Sequence, residues 1–142
     1  MSVAAGIIEL IGRIVFAAYF LYAGRGHLVD SGRYEGFARS SKFPVPAVAG
    51  WPSGLVLLAG GLSVALGIWP DIGTILIAIF VAPAGWYFHR FWEIEDQAQR
   101  RPQQQLFFRN VIAFGACMVM FALFVTLGHA LRYTITAPAF SF

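Results

Sequence analysis

Apolar residues run almost without interruption through four stretches of the chain, about 4–27, 45–69, 72–92 and 105–129, and polar residues collect between them. Each stretch is near the ~20 residues that a helix needs to cross a ~30 Å hydrocarbon core. In a bilayer no water pairs with backbone N–H and C=O groups, so apolar runs of this length satisfy themselves as helices. The strict alternation of a membrane β-barrel does not occur in the sequence. The pattern predicts an all-α integral membrane four-helix bundle, a single domain over residues 1–142, with no long-period repeat or linker dividing it.

Local signals sharpen the boundaries. Pro52 lacks an N–H and predicts a kink or break near the start of the second helix, whose membrane core then begins at Ser53. Ile68-Trp-Pro-Asp-Ile-Gly73 reads as a tight turn in which Pro70 stops one helix and Asp71 caps the next, making helices two and three an antiparallel hairpin. The first stretch has no Lys or Arg before Glu9 and outruns the ~7–15 apolar residues of a signal peptide, so it reads as a retained transmembrane helix.

Polar positions inside the apolar runs fall on defined faces. Glu9, Arg13, Ala17, Phe20, Gly24 and His27 recur at helical spacing and form one stripe along helix one. An ionisable group facing lipid costs at least ~2.5 kcal/mol, so the Glu9 and Arg13 end of this intramembrane polar stripe should face the bundle, paired at i,i+4. In helix two, Ala59, Ser63 and Gly67, with Gly50 and Gly54 before them, form small-residue rows suited to close helix packing. On helix three His89, Glu93 and Asp96 share a face if the helix continues past Trp92, and Gln103, Asn110 and Cys117 share one on helix four. Helix directions then bring His27, His89, Arg109 and Asn110 to one mouth of the bundle.

Composition agrees with a bilayer setting: 58% of residues are hydrophobic and only 12% charged. The net charge of +3 comes without a base-reading motif, which argues against a nucleic-acid partner. Four basic residues (Arg25, Arg33, Arg39, Lys42) lie around the first loop and four (Arg90, Arg100, Arg101, Arg109) around the third, against Arg13 and Arg132 on the other side. The positive-inside rule therefore makes loops one and three cytoplasmic and puts both termini outside. Cys117 is the only cysteine, which excludes an internal disulfide, a dithiol pair and a zinc cluster of the usual kind, and no metal site is expected. In mid-membrane it reads as a small buried hydrophobe.

The stretch GWYFHRFWEIED, residues 85–96, carries two readings. Trp86, Arg90 and Trp92 suit an interfacial belt of aromatics with a snorkelling arginine. Alternatively, His27, His89, Trp92, Arg109 and Asn110 form a site for a quinone headgroup: His89 donates to a carbonyl oxygen, Asn110 orients the ring, and Glu93 or Asp96 relays protons. A haem between His27 and His89 is disfavoured, because both histidines sit at helix ends where a macrocycle is hard to bury.

These stretches together resemble the DoxX family of small four-helix membrane proteins. The residues that carry the resemblance are Gly12-Arg-Ile, Tyr19-Phe-Leu-Tyr-Ala-Gly-Arg-Gly-His27, Gly60-Gly-Leu, Gly67, Pro83, Phe88-His-Arg-Phe-Trp92, Asp96 and Phe107-Phe-Arg-Asn110. Departures are His27 or Arg25 and Arg109 where lysines are usual, and Leu57 where an acidic residue often precedes the paired glycines. Arginine keeps the charge but does not readily donate a proton. The resemblance implies a component of a membrane redox system, similar to the membrane subunit of thiosulfate:quinone oxidoreductase or to members that associate with superoxide dismutase and sulfurtransferase partners. A redox protein partner, a possible homo-oligomer and a non-catalytic or accessory role in a quinone-linked oxidoreductase follow as expectations. The alternative is a membrane anchor or assembly factor that recruits a soluble enzyme through its cytoplasmic loops. Solute transport along the Glu9 to His27 stripe is least favoured, because four short helices enclose little volume and Phe20 interrupts the path.

Overall fold

The computed structural model of the chain describes residues 1–140, and every regular element among them is helical. The α-helices are α1 (Val3–Val29), α2 (Ser31–Ser40), α3 (Trp51–Leu66), α4 (Pro70–Phe88) and α5 (Gln97–Leu127). Short 3-10 turns cover Pro46–Ala49, Phe91–Glu93 and Gly128–Ala130. The all-α membrane class holds, with five helices where the sequence predicted four, because α2 forms inside the first loop. Helices α1, α4 and α5 are long and apolar enough to cross a membrane. With 16 residues, α3 is about 24 Å long, and the 45–50 segment expected to extend it is a 3-10 turn and a glycine instead.

The four apolar helices pack in chain order around a shared core. α1 packs on α3, α3 on α4 and α4 on α5, whereas α1 and α5 at the two ends have no comparable packing among the described residues. Glycines set the close contacts on both sides of α3. A Cβ on Gly60 would lie 2.9 Å from Ile77 of α4, and one on its neighbour Gly61 2.9 Å from Leu21 of α1. Gly60 and Gly61 thus let the central helix approach two partners at once. The expected small-residue rows are largely used: a Cβ on Gly54 would lie 2.9 Å from the Gly24 carbonyl oxygen of α1, and Ser63 packs against Gly73 of α4 while its hydroxyl donates to the Ile68 or Trp69 carbonyl at 2.6 or 2.9 Å, whereas Ala59 is exposed. Phe20, Leu57, Val64, Ile77, Val81 and Cys117 form the core, and Cys117 sits there as the small hydrophobe expected.

Local chemistry explains the ends. Pro52 and Pro70 occupy the first turns of α3 and α4, where a missing N–H has no intrahelical acceptor to lose. Gly67 ends α3 at φ +65°, a left-handed conformation that glycine adopts without steric cost. Asp71 is not the cap of α4: Trp69 holds that position without a side-chain cap. The fully buried Asp71 carboxylate instead accepts from the backbone N–H groups of Ala139 (3.0 Å) and Phe140 (2.7 Å). The C-terminal segment therefore lies across the α3–α4 turn, with Ile135 and Thr136 N–H donating to the Gly67 carbonyl, each at 3.0 Å.

Candidate functional site

The face of α1 that is buried comprises Gly6, Arg13, Ala17, Phe20, Gly24 and His27, and it contains five of the six stripe positions read from the sequence. At one end Arg13 Nε lies 3.0 Å from Glu9 Oε1 with both side chains buried, and Arg13 Nη2 donates to the Tyr133 carbonyl at 2.7 Å. The Glu9 contact is an ion pair off the hydrogen-bond direction, so both carboxylate oxygens, Nε and Nη1 have no hydrogen-bond partner among the described residues.

At the other end a cavity of about 560 Å³ collects His27, His89, Arg109 and Asn110, a size typical of small-molecule sites. Its walls are mostly apolar and aromatic. α1 supplies Tyr19, Phe20 and Tyr22, and α4 supplies Phe80, Pro83 and Phe88. Tyr34 and Phe37 of α2 and Phe43 beyond it close the end of the cavity. This roof is fastened by Tyr34 stacked on His27 (3.6 Å between centroids), by Phe37 and Phe43 against Phe88, and by Arg90 donating to the Ser41 carbonyl at 3.1 Å. Pro83 inside α4 cannot donate to the Ile79 carbonyl, and both residues belong to the same wall.

Tyr19 and Tyr22 of α1 and Ile79 of α4 belong to its lining and are exposed, so the cavity reaches the apolar outer surface of the helices. The Arg109 guanidinium stands over the Tyr19 ring, 5.3 Å from its centroid, and this cation–π contact links α5 to α1.

Each polar group in the cavity is held in a defined orientation. His27 Nδ1 lies 2.8 Å from the Ala49 carbonyl oxygen and 2.7 Å from Ser53 Oγ. The Ser53 hydroxyl donates to the Ala49 or Gly50 carbonyl, each 2.8 Å away. His89 Nδ1 lies 2.8 Å from Gln103 Oε1. Asn110 Nδ2 donates back to the Leu106 carbonyl at 2.9 Å, and Gly85 makes room for its side chain, since a Cβ there would come within 3.2 Å of the Asn110 Cβ.

Other expected site residues lie elsewhere. α4 stops at Phe88, so His89, Glu93 and Asp96 do not share one helical face. Glu93 pairs with Arg90 at 3.3 Å, and Asp96 caps α5 by accepting from Ala98 N–H at 3.0 Å. Trp92 joins an aromatic cluster with Trp86, Phe91 and Phe107, and none of Trp92, Glu93 and Asp96 lines the cavity. Sequence reasoning missed Tyr34 and Ser53. Gln103 was legible only as a residue on the Asn110 face, because its partner His89 lies beyond a break in the chain's helical pattern.

The fold and the cavity define a class: a small all-α membrane protein whose helices surround an aromatic-lined cavity carrying two histidines. The chain belongs to the DoxX family, whose model matches residues 8–90, more than half of its length. That match covers α1 to α4 with His27 and His89, and it ends before Arg109 and Asn110. No curated protein and no solved structure matches the chain.

Proposed function

We propose that the protein is a membrane subunit of a redox system whose cavity takes a quinone-type headgroup from the bilayer, with a separate oxidoreductase partner supplying or removing electrons. The observation that carries this reading is the meeting of His27, His89, Arg109 and Asn110 in one largely apolar cavity that reaches the helix surface at Tyr19, Tyr22 and Ile79. Aromatic walls suit a planar ring, an outlet on the apolar helix surface suits a ligand with a long apolar tail, and a few fixed polar groups suit ring oxygens. In this reading the loops around α2 and between α4 and α5 face the cytoplasm, where the partner docks.

Purification in mild detergent followed by mass spectrometry of extracted lipid tests the reading. The wild type should retain an isoprenoid quinone or quinol, and His89→Ala and Asn110→Ala should each lose most of it while remaining monodisperse and helical. Equal retention in both variants overturns the site assignment. The exposed basic residues Arg33, Arg39, Arg100 and Arg101 favour a second reading, a non-catalytic anchor that recruits a soluble enzyme. A soluble enzyme that copurifies with quinone-free protein and is released by substituting those arginines would select it.

A further inference from the structure

The hydrogen bonds that hold the two histidines also fix what they can offer a ligand. A carbonyl oxygen only accepts, so the 2.8 Å contact with Ala49 requires the proton on His27 Nδ1. Ser53 does not change this, because its own hydrogen is directed to a backbone carbonyl. At His89 the partner is the Gln103 amide, placed with its oxygen toward the ring, and in that orientation Nδ1 carries the proton there too. In a neutral imidazole with Nδ1 protonated, Nε2 presents a lone pair and no hydrogen. Neither Nε2 has a hydrogen-bond partner among the described residues, although both rings line the cavity.

Asn110 follows the same rule. Its Nδ2 is oriented by donation to the Leu106 carbonyl, which leaves the amide oxygen without a partner among the described residues. Three fixed side chains thus offer acceptors, and Arg109, over the Tyr19 ring, is the charged donor. In this arrangement His89 accepts from a ligand, where the sequence predicts a donor.

We infer that the cavity is built for a ring-hydroxylated aromatic ligand, and so for the hydroquinone rather than the quinone form of the headgroup, with His27 Nε2 and His89 Nε2 accepting from its O–H groups. The inference rests on the headgroup reading above and adds the oxidation state. A hydroquinone brings two O–H donors to acceptors that have no partner among the described residues. A quinone brings two more acceptors, and buried acceptors facing acceptors lose hydrogen bonds on both sides. Gln103, which lies outside the cavity lining, is a positioning residue: it selects the His89 tautomer.

The test compares three probes with the detergent-purified protein under anaerobic conditions at neutral pH: a short-chain prenyl-1,4-benzoquinone, its hydroquinone, and the dimethyl ether of that hydroquinone. The hydroquinone should bind at least tenfold more tightly than either of the others. Gln103→Met frees the His89 ring to exchange tautomers, and it should shrink the hydroquinone-to-quinone ratio several-fold while leaving binding detectable. Quinone binding as tight as hydroquinone binding overturns the inference but leaves the headgroup reading standing, whereas failure of all three probes overturns both. A ratio unmoved by Gln103→Met removes His89 as an acceptor. A haem absorption band in the purified protein would also overturn the inference, because the Nε2 atoms would then be metal ligands.

Discussion

Glu9 and Arg13 bring opposite charges into an apolar helix, and their environment decides what each substitution costs. Arg13 is 2% exposed and has one good acceptor, the Tyr133 carbonyl, besides its ion contact with Glu9. Removing one member of a buried pair strands the other, at a cost of about 3–5 kcal/mol, whereas replacing both with apolar residues of similar volume is often close to neutral. Glu9→Leu and Arg13→Met should therefore each lower the thermal unfolding midpoint in detergent markedly, and the double variant should recover most of the loss. If the two single effects simply add, the pair is not an energetic unit and Arg13 is held by its backbone contact alone. The same segment explains a limit of sequence reading. The i,i+4 spacing forecast the ion pair, but nothing in it forecast that Tyr133, 120 positions away, would supply the second anchor.

Among the elements, α2 differs most from what its residues suggest. Ser31–Ser40 reads SGRYEGFARS, with two glycines, four charged or aromatic polar residues and no apolar stripe long enough to predict a helix. It forms because its few apolar groups find tertiary partners: Ala38 is fully buried, Tyr34 stacks on His27, and Phe37 meets Phe88. Ser31 fastens the start of the helix by accepting from Trp51 N–H at 2.8 Å. By contrast, α1, α4 and α5 were legible because length and hydropathy alone demand them. The cavity was half legible: helix direction brought His27, His89, Arg109 and Asn110 to one end, but the aromatic roof depended on a helix that propensity does not forecast. Tyr34→Ala removes the stacking contact and should loosen α2. Limited trypsin treatment should then cut after Arg33 and Arg39 several-fold faster than in the wild type, while the transmembrane helices stay protected. An unchanged cleavage rate would mean that Phe37 and Phe43 suffice to hold the roof.

For the whole molecule, the placement of charge relative to the helices determines how it sits in the bilayer. Arg13 seemed to oppose the proposed orientation because it is a basic residue on the side with few of them. Its charge is matched by Glu9 inside the bundle, which leaves Arg132, donating to the Met1 carbonyl at 2.8 Å, as the exposed Lys or Arg at that end among the described residues, against the exposed Arg25, Arg33, Arg39, Lys42, Arg100, Arg101 and Arg109 at the other. The positive-inside rule counts charges that meet the membrane surface, and under that rule we propose cytoplasmic loops and external termini. Cys117 is buried, so single cysteines placed elsewhere report without interference. Gly36→Cys in α2 is suitable, because a Cβ there meets nothing within 4 Å, and Ala139→Cys sits on the exposed C-terminal segment. In intact cells a membrane-impermeant maleimide should label Ala139→Cys at once and Gly36→Cys only after permeabilisation. The reverse pattern would turn the molecule over in the membrane. The cavity roof would then face outward, and a docking partner would have to be sought on that side.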